Sequence, residues 1–206
     1  TLKEILLKAQ KEGWALGHFN FSEFDQLRAI VEACREVGSP AMVGLSEGER
    51  SHFGLKEAVA LRDILKKEHN IPIFLNADHS KSVKTAREAL DAGFDSAHID
   101  LSALPFEENI SGTKRVVEHA RTTTYNLQPT TLSIEGELGY LKGESKIQKE
   151  KISVSPEDYT KLEEAKRFVE ETGVNRLAIV VGNIHGISLD EPALDIERIK
   201  EIRSAV

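Results

Sequence analysis

Cysteine, tryptophan and methionine each occur once in these 206 residues, and only six prolines interrupt the chain. A single cysteine, Cys34, excludes an internal disulfide and is typical of a reducing compartment, so a cytoplasmic location is expected. It lies within a helical apolar pattern, which predicts a packing role. No apolar run approaches the roughly 20 residues that cross a bilayer. We therefore expect neither a disulfide framework nor a membrane partner.

Positive charge is also scarce, because 27 lysines and arginines face 34 aspartates and glutamates, for a net charge of -7. This acidic balance argues against nucleic acid as a partner. The chain is 40% hydrophobic and 30% charged, which is typical of a folded protein rather than of disorder. The length accommodates a sizeable core, and we expect a single domain over residues 1–206.

Short apolar stretches alternate with helical ones six times along the chain. Such stretches, without polar alternation, are typical of parallel strands buried on both faces in an α/β protein. The predicted strands are 14–19, 40–45, 71–77, 95–99, 129–137 and 176–181. The predicted helices are 2–9, 24–37, 54–68, 83–92, 109–120, 156–172 and 194–206. The polar stretch 142–153 is predicted to be a mobile loop.

Two architectures fit this alternation: an open doubly wound sheet and a (β/α)8 TIM barrel. No G-x-G-x-x-G follows the first strand, which weakens the case for a dinucleotide-binding sheet. Every strand end presents a polar residue, and a barrel builds its active site from such ends. The residues concerned are Asn20, Ser46, Asp78 with His79, Asp100, Glu137 and His185. A complete barrel takes about 250 residues, so we expect one that is truncated after about six βα units.

Asp78 and His79 stand at the end of a buried apolar strand, where a rigid core can position them. His79 and His185 lie on different strands, and two imidazoles with nearby carboxylates can hold zinc or a similar ion. A catalytic zinc keeps three protein ligands, so Asp100 or Glu137 could complete the set or hold a second cation. Asp78, beside a metal ligand, suits general acid–base chemistry.

Plainer interpretations stay open for several residues. Packing roles are expected for the other histidines, which are His18, His52, His69, His98 and His119. Glu135 faces the same side of its strand as Glu137, and one of the two could form a salt bridge inside the barrel. Gly182 and Gly186 could be ordinary turn residues. The stretch 142–151 is either a solvated loop or a lid that carries a proton-transfer residue.

Several segments, taken in order, resemble the class II, metal-dependent fructose-bisphosphate (ketose-bisphosphate) aldolases. The resemblance runs from Trp14 to the last residue, and five motifs in the right order carry it. They are Gly17-His-Phe-Asn20 with Ser46, Asn-Ala-Asp78-His79-Ser, Ile99-Asp100-Leu-Ser, Glu135-Gly-Glu137-Leu-Gly139 and Gly182-Asn-Ile-His185-Gly186.

The resemblance implies a catalytic Zn2+ bound by His79 and His185. It implies that Asp78 exchanges a proton with the C4 hydroxyl of the substrate. Asp100 and Glu137 would bind a second divalent ion, and the family also admits a monovalent cation. A metal ion that polarises the substrate carbonyl makes a Schiff-base lysine unnecessary.

The substrate contacts follow from the same resemblance. Asn20 would lie near a phosphate, Ser46 would contact the glyceraldehyde-phosphate end, and the backbone of Gly186 would contact the dihydroxyacetone-phosphate half. Glu144 is the candidate base for the C3 proton, because it is the nearby carboxylate after Glu-Leu-Gly.

The implied activity is the reversible cleavage of fructose 1,6-bisphosphate to dihydroxyacetone phosphate and glyceraldehyde 3-phosphate, in glycolysis and gluconeogenesis. The family suggests a homodimer or homotetramer, with a sugar phosphate as the small-molecule partner. Its third zinc histidine lies on a seventh strand, beyond Val206. Two alternatives therefore remain: a barrel metallohydrolase that uses the same ligands to activate water, and an inactive barrel fragment.

Overall fold

The structure is a computed structural model that describes residues 1–123, 132–187, 189 and 193–206, without the side chains of residues 144–146. Its helices are α1 Leu2–Glu12, α2 Phe24–Val37, α3 Glu47–Phe53, α4 Leu55–His69, α5 Val83–Ala92, α6 Phe106–Thr122, α7 Leu162–Thr172 and α8 Ile196–Ala205, with a short 3-10 helix at Pro156–Asp158. Its strands are β1 His18–Asn20, β2 Ala41–Leu45, β3 Ile73–Ser80, β4 Ser96–Ile99, β5 Ser133–Leu138, β6 Gly143–Ile147, β7 Arg176–Ile179 and β8 His185–Ile187.

Six strands form one parallel sheet in the order β1-β2-β3-β4-β5-β7. The sheet curls, because Nη1 of Arg176 on β7 lies 3.6 Å from Sδ of Met42 on β2. These strands are four positions apart, which in a flat sheet would separate them by about 19 Å. The predicted α/β barrel fold is therefore confirmed, with the six strands forming a curled, open parallel sheet.

The predicted helix ends follow from local chemistry. Thr1 and Glu4 form a capping box at the start of α1, and Gly13 ends that helix in the left-handed region at a φ of 75°. Gly38 ends α2 in the same way, at a φ of 66°. A side chain with a Cβ is strained in this conformation, whereas glycine is not. Within the described residues, no helix is long and apolar enough to span a membrane.

The core lies between the sheet and its outer helices. Its largest fully buried side chains come from strands, helices and the loops between them: Phe21, Phe94, Phe168, Leu27, Leu45, Ile73, Leu75, Leu90, Ile99 and Ile134. Cys34 is buried and unpaired, as expected. Ile64 on α4, which helical spacing places on the inner face, is instead 51% exposed.

Several helices and strands of the structure differ from the prediction. The strand expected over 14–19 is confined to β1, and α3 occupies a stretch where no helix was predicted. The helix expected over 156–172 is divided, because the chain between its two parts bonds to the sheet. There the Thr160 backbone donates to Val180 O at 2.9 Å, and its hydroxyl donates to Leu138 O at 2.7 Å. Residues 129–131 of the fifth predicted strand lie outside the described residues.

The prediction of a loop over 142–153 is wrong for its first part, because residues 143–147 form a strand. β6 pairs in parallel with β8, so that Gly143 lies opposite His185 and Ile147 opposite Ile187. Gly143 has a φ of 104°, and a Cβ there would lie 2.7 Å from His185 O. Only glycine therefore lets the two strands approach this closely.

Candidate active site

A β-bulge at the end of β3 creates the centre of the site. β3 and β4 pair regularly up to Ala77 and again at Ser80, so Asp78 and His79 together face one residue of β4, His98. His79 adopts a left-handed φ of 41°, which is uncommon for a residue with a Cβ. In a regular strand these two side chains would point to opposite faces. The bulge lets both of them contact His98.

His79 and His185, both predicted metal ligands, meet at one point. Their Nε2 atoms lie 3.1 Å apart. Burial acts to lower the pKa of His79, but the hydrogen bond to Asp100 and the contact with the Glu137 carboxylate outweigh burial and raise the pKa to about 9. Burial and the charge of His79 lower the pKa of His185. In the absence of a metal ion, therefore, a protonated His79 donates to a neutral His185.

Two buried carboxylates surround the other nitrogen of His79. Its Nδ1 donates to Asp100 Oδ2 at 3.0 Å and lies 3.3 Å from Glu137 Oε2. Asp100 also accepts from the Ser102 hydroxyl at 2.7 Å and contacts the ammonium of Lys81. Burial alone would raise the pKa of Asp100, but these donors together lower it. A carboxylate on Nδ1–H fixes the tautomer that leaves Nε2 free for a metal ion.

Asp78 is half-buried and held from two sides. Asn20 Nδ2 donates to its Oδ2 at 2.9 Å, and His98 Nδ1 lies 3.5 Å from its Oδ1. Burial opposes ionisation, but contact with His98, the charge of His79 and the Asn20 bond hold the pKa of Asp78 well below its usual range. The carboxylate is therefore ionised at neutral pH and able to accept a proton.

His98 is a site residue that sequence analysis placed in a packing role. It is 5% exposed, and its Nε2 lies 3.1 Å from Glu137 Oε2. These two atoms make no hydrogen bond with each other or with any other described residue. The spacing in the sequence carried a signal, because His98 on β4 lies two positions before Asp100, which directly follows that strand, and residues so spaced share a face.

The arrangement fits a metal ion. The carboxylates and imidazoles form two groups whose ligand atoms lie within 4.8 Å of one another: Asp78, His79 and His98, and His79, Asp100 and Glu137. Two nitrogens bound to one tetrahedral zinc lie about 3.3 Å apart, close to the separation of the two Nε2 atoms. Oε2 of Glu137 has no hydrogen-bond partner in the part of the chain that the structure describes, and it offers a further ligand atom, since buried polar atoms without such partners are costly.

A cleft of about 440 Å3 opens above these groups. Its lining combines predicted site residues with neighbours from α3 and β6: Asn20, Ser46, Glu47, Gly48, Glu49, Asp78, His79, Lys81, Gly143 and His185. Ser46 Oγ also accepts the Glu49 backbone N–H at 3.4 Å, as part of a capping box that begins α3. The predicted substrate contacts Asn20 and Ser46 therefore border the same space as Asp78.

Two predicted site residues, Gly186 and Glu144, lie next to residues that line the cleft. Gly186 lies on β8 beside His185 with a φ of 82°, but it does not line the cleft. Glu144 is on β6 next to the cleft residue Gly143, and its side chain lies outside the described residues. The expected interior salt bridge is confirmed for Glu135, whose Oε2 lies 2.9 Å from Arg176 Nη1.

Comparisons with known proteins point to one family. The family model described as fructose-bisphosphate aldolase class-II matches residues 1–206. A fructose-bisphosphate aldolase of Helicobacter pylori is 39% identical over 207 residues, which are 97% of this chain and 63% of that protein. One from Staphylococcus aureus is 35% identical over 205 residues, which are 98% of this chain and 68% of the relative. The chain thus spans about two thirds of the length of these relatives.

Solved structures support the same fold. The YdjI aldolase from Escherichia coli K12 superposes with a TM-score of 0.79 at 28% identity, covering 97% of this chain and 66% of that one. A fructose-bisphosphate aldolase from Campylobacter jejuni superposes with a TM-score of 0.78 at 22% identity, covering 100% and 63%. At that identity the second match speaks for the fold alone.

Proposed function

The chain belongs to the class II fructose-bisphosphate aldolase family, and we propose that it carries the metal and acid–base groups of a zinc-dependent aldolase. The reaction is the reversible cleavage of fructose 1,6-bisphosphate to dihydroxyacetone phosphate and glyceraldehyde 3-phosphate, in glycolysis and gluconeogenesis. One observation supports it most: His79 Nε2 and His185 Nε2 converge at 3.1 Å in the cleft that Asp78 also borders.

His79 and His185 would hold the zinc. When bound there, the ion supplies Lewis-acid polarisation of the substrate carbonyl. Asp100 would orient His79 through Nδ1–H, which is the usual task of a carboxylate behind a metal-binding imidazole. The close grouping of His79, Asp100 and Glu137 also supports the proposal that a second divalent ion binds on this side. The monovalent cation remains an implication of the family.

Asp78 would take the proton of the C4 hydroxyl as the C3–C4 bond breaks. The electron pair of that bond passes to the ketose half, which then gains a proton at C3. Glu144 is the proposed donor of this proton. In the condensation direction both transfers reverse. Asn20 keeps Asp78 oriented for its transfer, and Ser46, Asn20 and Gly186 would contact the ends of the substrate.

The cellular setting and the oligomeric state are also part of the proposal. One buried cysteine suits a reducing compartment, which supports a cytoplasmic location. A homodimer or homotetramer is proposed from the family resemblance.

The test combines metal binding with catalysis on the same samples. Zinc affinity would be measured by competition with a chelator for the wild type, His79→Ala and His185→Ala, with the exposed His52→Ala as the control. We expect one zinc per chain, at least about 100-fold weaker binding in the first two variants and no change in the control.

Release of dihydroxyacetone phosphate from fructose 1,6-bisphosphate would then be measured. Tagatose and sedoheptulose bisphosphates, and a panel of esters and amides, would be tested as alternative substrates. Cleavage of a ketose bisphosphate that requires both histidines supports the proposal. Zinc binding that neither substitution weakens, or hydrolysis without aldol cleavage, contradicts it.

A further inference from the structure

A buried arginine, Arg50, supports the site from behind. It lies on α3 and is only 5% exposed. Its guanidinium donates to three oxygens: Leu45 O at 2.5 Å, Asp78 O at 2.8 Å and Ser80 Oγ at 3.1 Å. One side chain therefore joins the carboxyl end of β2 to the bulge at the end of β3.

The two contacts on β3 lie on either side of His79. The carbonyl of Asp78 belongs to the peptide unit that precedes His79, and the orientation of this unit determines φ at His79. That φ is the uncommon left-handed value of 41°. Rotating the peptide unit toward an ordinary strand conformation would turn the carbonyl away from Arg50. The guanidinium thus holds the conformation that directs Asp78 and His79 into one cleft.

Geometry rather than charge pairing explains why arginine serves here. Over the described ranges, no carboxylate oxygen lies within 4.0 Å of its nitrogens, and its bonds go to two backbone carbonyls and one hydroxyl. A planar guanidinium presents several donors in a fixed fork, which suits three acceptors that lie on two neighbouring strands, β2 and β3. The compact ammonium of lysine cannot reproduce this arrangement.

We propose that Arg50 is a positioning residue that fixes the metal ligand His79 and the proton acceptor Asp78 in their working orientation. This inference rests on the proposed function only in assigning those two roles. It predicts that loss of Arg50 weakens metal binding although Arg50 touches no metal. Loss of a residue behind a metal ligand typically costs 10- to 100-fold in affinity.

The chain offers a matched control in Arg62, which is also 5% exposed. Arg62 contacts Asp95 and donates to Gly93 O at 3.1 Å, at the opposite end of β4 from Asp100. Replacing either arginine by methionine removes one buried guanidinium. Both variants should be less stable, but only Arg50→Met should disturb His79.

Co2+ affinity and the visible spectrum of the Co2+-loaded chain would be measured at a temperature at which every variant is folded. We expect affinity to fall about 10- to 100-fold in Arg50→Met, with an altered spectrum. The Co2+ affinity of Arg50→Lys should lie between those of the wild type and Arg50→Met. Ser80→Ala removes one hydrogen bond, and its Co2+ affinity should fall less than about tenfold. Arg62→Met should stay within about twofold of wild type. Equal losses in both methionine variants, or none in Arg50→Met, would overturn the proposal.

A metal-independent measurement separates this inference from the proposed function. With 15N-histidine labelling, the His79 amide signal, identified by its absence in His79→Ala, should shift in metal-free Arg50→Met and stay in place in Arg62→Met. If wild type binds no metal, the proposed function fails while this readout still decides the role of Arg50. An unshifted His79 signal in Arg50→Met overturns the positioning role.

Discussion

His79 and His185 are 106 positions apart in the chain, yet their Nε2 atoms lie 3.1 Å from each other. Their rings meet edge to face, with centroids 4.6 Å apart and planes inclined by 71°. One ring must donate to the other unless a cation lies between them. Because Asp100 and Glu137 raise the pKa of His79 to about 9, this ring carries the shared proton in the metal-free chain.

Metal binding should therefore compete with protons. Because the pKa of His79 is raised in the folded chain, protonation of His79 stabilises the metal-free fold. This stabilisation is complete below the ordinary pKa of 6.5 and is lost as the pH rises through about 9. Zinc must displace the proton, so affinity should increase about tenfold per pH unit between pH 7 and 9 and level off above it. Calorimetry in buffers of different ionisation enthalpy should detect about one proton released per zinc at pH 7.5.

The charged and titratable groups that face His79 set its pKa. They are Asp78, His98, Asp100, Glu137 and His185. Substituting Asp100 by asparagine removes one carboxylate, so the pH dependence should move to lower pH. An affinity that is flat from pH 7 to 9 would show that His79 does not exchange its proton for the metal.

Asn20 should matter for turnover rather than for metal binding, because its amide donates to Asp78 and not to a histidine. Removing this charge-assisted bond in Asn20→Ala should lower kcat for aldol cleavage about 10-fold. Asn20→Asp should lower kcat further, because it places a like charge beside Asp78. Zinc affinity in Asn20→Ala should stay within about threefold. Unchanged kcat in both variants, or a parallel loss of zinc, would contradict this role.

The βα alternation was predictable from sequence because each strand is a short apolar run and most helices end at a glycine, such as Gly13 or Gly38. The approach of His79 to His185 was also predictable, because both follow predicted strands and the carboxyl ends of parallel strands meet on one side of the sheet. The bulge at Asp78 and His79 was not predictable, because nothing in the local residue types marks it. The contacts that His98 makes with Asp78 and His79 depend on this bulge.

Two further elements escaped prediction for a different reason. α3 is stabilised by a capping box between Ser46 and Glu49, but its seven residues carry little apolar periodicity. β6 has no apolar alternation either, and its pairing with β8 depends on the close approach that Gly143 permits. Both elements are short and polar, so their formation depends on contacts made in the folded chain.

Packing behind β5 should be sensitive to one added methyl group. A Cβ at Gly136 would lie 2.6 Å from the ring of Phe168 and 3.3 Å from Val174. Gly136→Ala should therefore destabilise the chain by about 1–3 kcal/mol, as overpacking of a core does. Urea unfolding would measure this loss. Gly48→Ala serves as the control, since nothing lies within 4 Å of its Cβ, and its effect should not exceed about 1 kcal/mol. Equal stabilities for the two variants would contradict the packing argument.

The backbone of His185 is held by the two residues that flank β6, and these contacts should influence the metal site. The side-chain amide of Gln148 donates to His185 O at 2.9 Å, and the backbone N–H of His185 donates to Lys142 O at 2.9 Å. Gln148→Glu is nearly isosteric but replaces the donor with a carboxylate oxygen that repels the carbonyl. β8 should then shift, and zinc affinity should fall about 10-fold.

Lys149→Gln is the matched control, because it makes the same change in net charge at an exposed neighbouring position. Its zinc affinity should equal that of the wild type, which would exclude a general effect of charge near the site. Hydrogen exchange adds a structural readout, since the amides of His185 and Gln148 should exchange faster in Gln148→Glu and remain protected in Lys149→Gln. Normal zinc affinity with faster exchange at both amides would mean that His185 binds zinc without support from β6.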